Sequence, residues 1–394
     1  MKKPLMITSL ALLAGTFLTS ALPDRFIRDQ FKKAEAQTEL MLAQVAEATK
    51  TQPVGKPALV SPRTLTDAGE LHMVPARDWT SGFFPGQLWY LYEFTGRKEW
   101  ADLARQFTAR LESEKMNAGT HDMGFKLYCS YGNGYRLTND PAYKDILIQA
   151  ARTLSKRYKP KAGIIRSWDH NTAKWLCPVI IDNMMNLELL FAATRFTGDS
   201  TFYKIAVSHA QTTLKNHFRP DNSSYHVVDY DTLTGRVIKK NTHQGFNDES
   251  AWSRGQAWGL YGYTLCYRET KNPQFLKQAE AIARFMLNHK NMPADLVPYY
   301  DYDAPGIPNE TRDVSAASVM ASALYELSTY VPKSNYRAKA DAVMASLAKT
   351  YTSPVGQNRG FLLLHSTGAK TFERDVPLIY ADYYYLEALL RARK

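Results

Sequence analysis

The segment YLYEFTG at residues 90–96 decides the fold, because its pattern returns along the chain. It is an apolar, aromatic helix that ends in a turn signal and is followed by a more polar helix rich in Ala and Lys. The pattern recurs as RLTNDP at 136–141, RFTGD at 195–199, RETKNP at 268–273 and LSTYVP at 327–332. A repeat of this kind predicts a series of helical hairpins.

The complete pattern predicts an all-α fold. An opening amphipathic helix near residues 23–49 and a final aromatic helix at residues 378–393 bring the count to six hairpins. The helix before each turn is apolar on nearly all faces, whereas the helix after it has one polar face. Such pairs suit an inner ring wrapped by an outer ring, so we expect an (α/α)6 toroid barrel as a single domain over residues 23–394. No stretch shows the sustained alternation of a β-strand.

Four long inserts precede predicted inner helices, and Trp, His and Asp residues gather in them. The inserts cover residues 51–78, 161–178, 219–249 and 291–312. Because loops on one face of a rigid scaffold commonly form a binding site, we expect a pocket where these inserts meet. The Pro-rich stretch at 51–76 is the least helical, and we expect it to wrap the barrel.

The N-terminus has the features of a secretory signal peptide. Lys2 and Lys3 precede an apolar run over residues 4–22, and Ala21 offers a small residue for cleavage. We therefore expect residues 1–22 to be removed and the mature protein to be periplasmic or secreted. The run is short for a membrane span, and no later window is long and apolar enough to form one.

Charge and cysteine content restrict the classes of partner. The 49 Lys and Arg residues exceed the 38 Asp and Glu residues by 11, which favours anionic partners. The cations are spread along polar helix faces, as at Lys277, Lys339 and Lys349, so a nucleic-acid stripe is not indicated. The three cysteines lack disulfide or metal spacing. Motifs for phosphate binding, dinucleotide binding and serine hydrolysis are absent.

Two aspartates are the strongest catalytic candidates. Asp122 lies in HDMGF at 121–125 and Asp182 in VIIDNMMN at 179–186, each among apolar neighbours at the mouth of a predicted inner helix. Each aspartate alone is also a plausible helix cap. Barrel closure, however, brings adjacent inner helices together, so a shared pocket is plausible. Burial and mutual repulsion would then keep one carboxyl protonated near neutral pH, as acid/base chemistry on sugars requires.

Aromatic and cationic residues mark the remaining candidate segments. DWTSGFFPG at 78–86 opens a predicted inner helix. The alternative interpretation is that its residues only start this helix and pack in the core. In SAWSRGQAW at 250–258, Arg254 and Trp258 are four residues apart and share a helix face, where a guanidinium can bind a carboxylate and an indole can support a sugar ring. A structural ion pair of Arg254 is the alternative. His226 and His243 do not have the spacing of a metal site.

These motifs, in this order, resemble the unsaturated glucuronyl hydrolases of glycoside hydrolase family 88. The likeness runs from about Asp78 to the C-terminus and rests on W-x-x-G-F at Trp79, H-D-x-G-F at His121, D-x-x-M-N at Asp182, H-x-x-D-Y-D at His226 and S-R-G-Q-A-W at Ser253. The resemblance implies removal of the 4,5-unsaturated uronic acid that polysaccharide lyases leave at the non-reducing end of oligosaccharides. It implies hydration of a vinyl ether, without attack on the anomeric carbon, and neither a metal nor an organic cofactor.

The resemblance also assigns roles to residues. Asp182 would protonate C4 and then act as the base for water addition at C5, while Asp122 would position it and tune its proton affinity. The implied substrate-binding residues are Trp79, Phe83, His121, Trp168, His226, Gln244, Arg254, Trp258 and Lys370. The aromatic members would form the walls, and Arg254 would stabilise the carboxylate side of the substrate. Lys370 lies in HSTGAK at 365–370, where the serines that accompany this lysine in relatives accepting sulfated substrates are displaced, so use of sulfated substrates stays open.

Three other functions remain open from the sequence. An inverting glycosidase acting on saturated uronides would use two carboxylates about 6.5–9.5 Å apart. An unsaturated rhamnogalacturonyl hydrolase has a similar barrel but generally lacks the carboxylate at the position of Asp122. A non-catalytic sugar-binding protein would keep the aromatic pocket without using the acids.

Overall fold

The computed structural model describes residues 22–50 and 55–394. In chain order its α-helices are α1 (Asp24–Lys50), α2 (Phe83–Thr95), α3 (Lys98–Ala109), α4 (Asn133–Thr138), α5 (Pro141–Ser155), α6 (Leu187–Thr197), α7 (Ser200–Asn216), α8 (Ser253–Thr270), α9 (Pro273–Asn288), α10 (Val314–Tyr330), α11 (Tyr336–Ser346) and α12 (Ile379–Ala392). A π-helical segment, Gly124–Gly132, leads into α4, and a 3-10 segment, Ile181–Asn186, leads into α6. Most of the predicted signal peptide lies outside the described residues.

The even-numbered helices form the inner ring and the odd-numbered helices the outer ring. In α8 every side chain from Ser253 to Cys266 is buried, as expected for a helix surrounded by others. In α9 the buried positions, among them Phe275, Ala279, Ile282 and Met286, recur every three or four residues, so one face stays in solvent. The predicted (α/α)6 barrel is confirmed.

Contacts between the first and last inner helices close the ring. Helix α12 packs against both α2 and α10. The Tyr90 hydroxyl donates a hydrogen bond to the Tyr383 hydroxyl at 2.9 Å. Gly86 permits this approach, because a Cβ at that position would lie 2.4 Å from the Tyr383 ring.

Local capping explains the turn signal that marks the repeat. Gly96, Asn139 and Gly198 adopt left-handed backbone conformations just after α2, α4 and α6, which ends those helices. At some turns the next helix is capped by a side chain: the Asp140 carboxylate accepts from the Ala142 N–H at 3.0 Å, and the Asn272 side chain accepts from the Gln274 N–H at 3.0 Å. At these turns the same short segment therefore ends one helix and begins the next.

Short strands in the inserts correct the expectation that no strand is present. The strands are β1 (Leu59–Leu65), β2 (Leu71–Pro75), β3 (Tyr158–Lys159), β4 (Ile164–Ile165), β5 (Pro178–Ile180), β6 (Val227–Tyr230) and β7 (Val237–Asn241). They pair as β1–β2, β3–β4 and β5–β6–β7. Most are too short to show alternation in the sequence, and β5 pairs with a segment almost 50 residues away. The stretch at 51–76 contains the β1–β2 hairpin.

A network of charged side chains joins several inner helices. The Arg268 guanidinium of α8 pairs with Glu188 of α6, with Glu269 at 3.1 Å and with Glu326 of α10 at 3.0 Å. Arg391 of α12 lies 3.0 Å from the same Glu326. These residues sit beside a cavity of about 350 Å³. The network therefore ties four inner helices together around that cavity.

We expect Arg268→Met to lower the free energy of unfolding by about 3–5 kcal/mol, because it leaves partly buried carboxylates without their cation. Urea denaturation followed by circular dichroism measures the change. Arg284→Met is the control, since its ion pair with Glu280 spans 3.8 Å on an exposed face and is worth about 0.5 kcal/mol at most. Equal losses in both variants would contradict the structural role of the network.

Candidate active site

The N-terminal ends of the inner helices and the inserts enclose a pocket of about 230 Å³. Its lining residues are Trp79, Gly119, Thr120, His121, Asp122, Trp168, His170, Ile180, Asp182, His243, Gln244 and Arg254. Asp122 and Asp182 thus face the same pocket, as the sequence analysis predicts. None of these residues lines the cavity beside the charged network.

Two local links bring the Asp122 and Asp182 segments together. The side-chain oxygen of Asn186, just before α6, accepts hydrogen bonds from the N–H groups of Gly124 at 2.8 Å and Phe125 at 3.1 Å. A Cβ at Gly124 would approach Asn186 Cα to 2.7 Å, so this contact requires glycine. The contact between Gly124 and Asn186 therefore holds the Asp122 segment beside the Asp182 segment.

Asp182 is a buried carboxyl without an ion-pair partner in direct contact. It lies in the 3-10 segment before α6 and is 7% exposed. Burial raises its pKa to about 7; the Arg254 charge and the nearby Trp258 indole N–H oppose this rise, and the Asp122 charge adds to it. Its Oδ2 atom has no hydrogen-bond partner among the described residues. The group can therefore both donate and accept a proton near neutral pH.

Asp122 is more exposed than Asp182 and is held by its neighbours. Thr120 Oγ1 donates to Asp122 Oδ2 at 2.6 Å. His121 Nε2 lies 3.2 Å from Asp122 Oδ1, with the ring buried. Burial lowers the pKa of His121, which favours the neutral ring. The Thr120 hydroxyl and the neighbouring His121 ring therefore hold the Asp122 carboxylate in position at the pocket.

His226 lies behind Asp182. Its Nδ1 accepts hydrogen bonds from the N–H groups of His243 at 3.1 Å and Gln244 at 3.2 Å, which places the ring proton on Nε2. Burial holds the pKa of His226 well below its usual value. Nε2 lies 3.7 Å from Asp182 Oδ2, so the N–H faces the carboxyl. His226 does not line the pocket, so this geometry does not support the direct substrate binding that the resemblance implies for it.

Arg254 forms the structural ion pair that the sequence left open. Its Nη1 lies 2.6 Å from Asp313 Oδ2 and donates to the Thr367 carbonyl at 2.7 Å, and Nη2 donates to the Gly368 carbonyl. Only Nε has no partner in the described part of the chain. The side chain is nearly fully buried, yet it borders the pocket. A direct contact with a substrate carboxylate stays a prediction.

Three further predicted contacts need correction. Phe83 and Trp258 are fully buried, so they support the pocket from beneath and do not form its walls. Phe83 packs against Trp79 with ring centroids 5.8 Å apart, and Trp258 packs against Phe125 at 5.2 Å. Lys370 lies outside the lining, where its Nζ donates to the Phe246 carbonyl at 3.0 Å. Trp79, His121, Trp168 and Gln244 do line the pocket, and their roles toward a substrate stay predictions.

Comparisons with known proteins identify the family to which this barrel belongs. The model of Glycosyl Hydrolase Family 88 matches residues 60–390. An unsaturated glucuronyl hydrolase of Formosa agariphila is 50% identical over 335 residues, 84% of each chain. An unsaturated chondroitin disaccharide hydrolase of Streptococcus pyogenes serotype M1 is 30% identical over 94% of this chain and 95% of its own. The solved structure of an unsaturated glucuronyl hydrolase specific for heparin has 46% identity and a TM-score of 0.86, covering 94% of this chain and 97% of that one.

The chain belongs to glycosyl hydrolase family 88. The predicted resemblance and the predicted class of enzyme, an unsaturated glucuronyl hydrolase, are confirmed. The boundary between a signal peptide and a single domain remains a prediction.

Sequence reasoning missed two pocket histidines of this family 88 chain. His170 stacks on Trp168 with ring centroids 5.2 Å apart, and His243 lies 5.6 Å from the same ring. In the sequence, His243 is a candidate only for a metal site, and His170 belongs to no recognised motif. Their proximity to Trp168 in one aromatic insert was the available signal. No group of three or more His, Cys, Asp or Glu side chains within residues 22–50 and 55–394 is arranged to hold a metal ion.

An ion-pair clamp fixes the loop that lies over Arg254. Arg63 of β1 bonds both oxygens of Glu373, at 2.6 and 2.9 Å, and also Asp78 beside Trp79 at 2.9 Å. The loop of Glu373 supplies the Gly368 carbonyl, which accepts from Gln244 Nε2 at 2.8 Å as well as from Arg254. The β1–β2 hairpin thereby positions two pocket residues that are far from it in sequence.

The raised pKa of Asp182 predicts a stability difference that depends on pH. The folded state binds more protons than the unfolded chain between about pH 4 and pH 7, so native stability falls as pH rises through this window. We expect the advantage of Asp182→Asn over the native chain in free energy of unfolding to grow by about 3–4 kcal/mol from pH 4 to 7. Denaturant titrations at each pH measure it.

Asp199→Asn is a control of opposite sign. The Thr201 N–H lowers the pKa of Asp199, so the native chain gains stability relative to that variant as pH rises toward about 4, and the difference between them should stay nearly constant from pH 4 to 7. A constant difference between Asp182→Asn and the native chain across this window would show that Asp182 titrates normally.

Proposed function

We propose that this family 88 chain removes the 4,5-unsaturated uronic acid from the non-reducing end of glycosaminoglycan oligosaccharides produced by lyases, with Asp182 as general acid and then general base. The observation that carries this assignment is one buried carboxyl whose pKa is raised to about 7, facing a pocket that it shares with a second carboxylate. Asp182 can donate a proton to carbon only in its protonated form, and this environment keeps a substantial fraction of the carboxyl protonated at neutral pH.

The reaction begins with transfer of the Asp182 proton to C4. The C4=C5 electron pair forms the new C–H bond, and the positive charge at C5 is shared with the ring oxygen. A water molecule adds to C5 and gives its proton to the Asp182 carboxylate, which restores the acid. The resulting hemiketal opens by cleavage of the bond between C5 and the ring oxygen. This yields a C5 ketone and a hemiacetal at C1, which releases the leaving sugar as its alcohol.

The neighbours of Asp182 support both of its protonation states. Asp122 and burial stabilise the protonated acid before the first step. After proton transfer, the Nε2–H of His226 at 3.7 Å and the buried Arg254 charge stabilise the carboxylate. His226 stays neutral. Its N–H therefore faces Asp182 without a positive charge that would lower the pKa of that carboxyl.

The substrate class follows from charge and from the relatives. The chain carries a net charge of +11, which suits an anionic uronic acid. The similar proteins are described as acting on chondroitin disaccharides or as specific for heparin. We therefore assign a glycosaminoglycan origin to the oligosaccharide.

An exported location completes the proposal. Lys2, Lys3 and the apolar run at 4–22 support secretion or a periplasmic site, where lyase products of extracellular polysaccharides arrive. None of the helices in residues 22–50 and 55–394 has the length and apolar character needed to cross a membrane.

The decisive assay follows the ultraviolet absorbance of the C4=C5 double bond. We expect the native chain to abolish this absorbance with unsaturated disaccharides from chondroitin, heparin or hyaluronan. Asp182→Asn should lose at least about 10³-fold in kcat, since both proton transfers depend on it, while disaccharide still binds in calorimetry. Asp102→Asn on the exposed face of α3 is the control and should retain native turnover.

Persistent absorbance across the whole panel with the native chain would overturn the proposed function. Comparable turnover of a saturated aryl glucuronide would instead favour an ordinary glycosidase. Full activity of Asp182→Asn would remove Asp182 from the chemistry.

A further inference from the structure

Two lysines lie outside the pocket, beyond the aromatic residues on the side of Trp168. The Trp175 ring lies 5.5 Å from Trp168, and Lys174 Nζ lies 4.4 Å from the Trp175 ring centroid. Lys239 Nζ of β7 donates a hydrogen bond to the Lys174 carbonyl. We call Lys174 and Lys239 the lysine rim. It adjoins the candidate pocket but is not part of its lining.

The lysine rim has no carboxylate partner among residues 22–50 and 55–394, and the nearby acids are already bonded elsewhere. Asp169 pairs with Arg157 at 2.8 Å and with Arg166 at 3.1 Å. The two Asp229 oxygens accept from the N–H groups of Leu176 and Cys177. The Asp248 carboxylate accepts from the Asn241 side-chain amide at 2.9 Å and the Thr242 N–H at 2.8 Å. Neither ammonium group of the rim is therefore taken up in an ion pair within the described residues, although the Asp229 carboxylate lies opposite Lys239 in the β6–β7 ladder.

The backbone beneath the lysine rim is held in place. Asp229 of β6 fixes the end of the loop that carries Lys174. The Trp175 indole N–H donates to the Asn241 side chain at 3.3 Å, which joins this loop to the end of β7. Leu176 and Ile238 are more than half exposed and add apolar surface beside the two cations. Cations beside apolar surface are suited to a sugar ring that carries an acidic substituent.

We propose that the lysine rim binds an anionic group on the leaving part of the oligosaccharide, either a sulfate on the second sugar or the carboxylate of a uronic acid further along. This inference rests on the proposed function, since it requires the unsaturated residue to lie at Asp182 and the leaving sugars to extend past Trp168. Exposed ion pairs of this kind are individually weak and are screened by salt. Their contribution appears mainly in KM, because the reacting atoms lie in the pocket.

Steady-state kinetics on three unsaturated substrates test the proposal. The substrates are an unsulfated disaccharide, the same disaccharide with a sulfate on the second sugar, and an unsulfated tetrasaccharide with an additional carboxylate. At low salt we expect the double variant Lys174→Met/Lys239→Met to raise KM about three- to tenfold for one or both anionic extensions. The kcat values and the KM of the unsulfated disaccharide should stay native. High salt should remove the difference.

Lys339→Met, at the start of α11, is the control and should match the native chain with every substrate.

The pattern of loss distinguishes the two sources of negative charge. An effect confined to the sulfated disaccharide assigns the rim to sulfate, and an effect confined to the tetrasaccharide assigns it to the carboxylate. Equal KM changes for all three substrates, or no change for any, would overturn the proposal.

Failure of the proposed function has a separate signature. In that case the native chain consumes none of the three substrates. Calorimetric binding of the sulfated disaccharide then tests the rim by itself. Weaker binding to the double variant than to the native chain supports an anion site, and identical binding overturns it.

Discussion

The burial of Asp182 without a contacting cation is the constraint on which the site depends. A carboxyl in this position loses the hydration of its charged form, so its pKa rises to about 7. The Asp122 charge adds to the rise, while the Arg254 charge limits it. Arg254 also forms an ion pair with Asp313 at 2.6 Å, which balances much of its positive charge. The balance leaves Asp182 able to give a proton to carbon and take one back from water, which is what hydration of a vinyl ether requires.

The barrel makes this burial possible. Each hairpin places an inner-helix N-terminus at the same end of the ring, and closure between α2 and α12 brings these ends around one pocket. Arg268 and Arg391 also join several inner helices through shared glutamates. The inserts then complete the pocket: the clamp from Arg63 to Glu373 holds the Gly368 carbonyl that contacts Gln244 and Arg254.

The sequence predicts the helices well because their signals are local. Asn139 ends a helix and Asp140 caps the next one through contacts within a few residues, so the repeat can be recognised without a structure. Asp122 and Asp182 are likewise found through short motifs. The strands are missed because their pairing joins distant inserts, as in β5 and β6. A motif also does not predict which way a side chain points. Trp258 and Phe83 are buried in the core, whereas His170 and His243 border the pocket.

The coupling between the two aspartates is most directly tested by the pH dependence of kcat/KM in Asp122→Asn and in the native chain, measured with enough enzyme to follow residual turnover. Native kcat/KM should fall above about pH 7, because Asp182 must hold its proton to start the reaction. Removing the Asp122 charge lowers the pKa of Asp182, so this fall should begin at a lower pH in the variant. An unchanged profile, or one displaced to higher pH, would contradict the joint action of the two carboxyls.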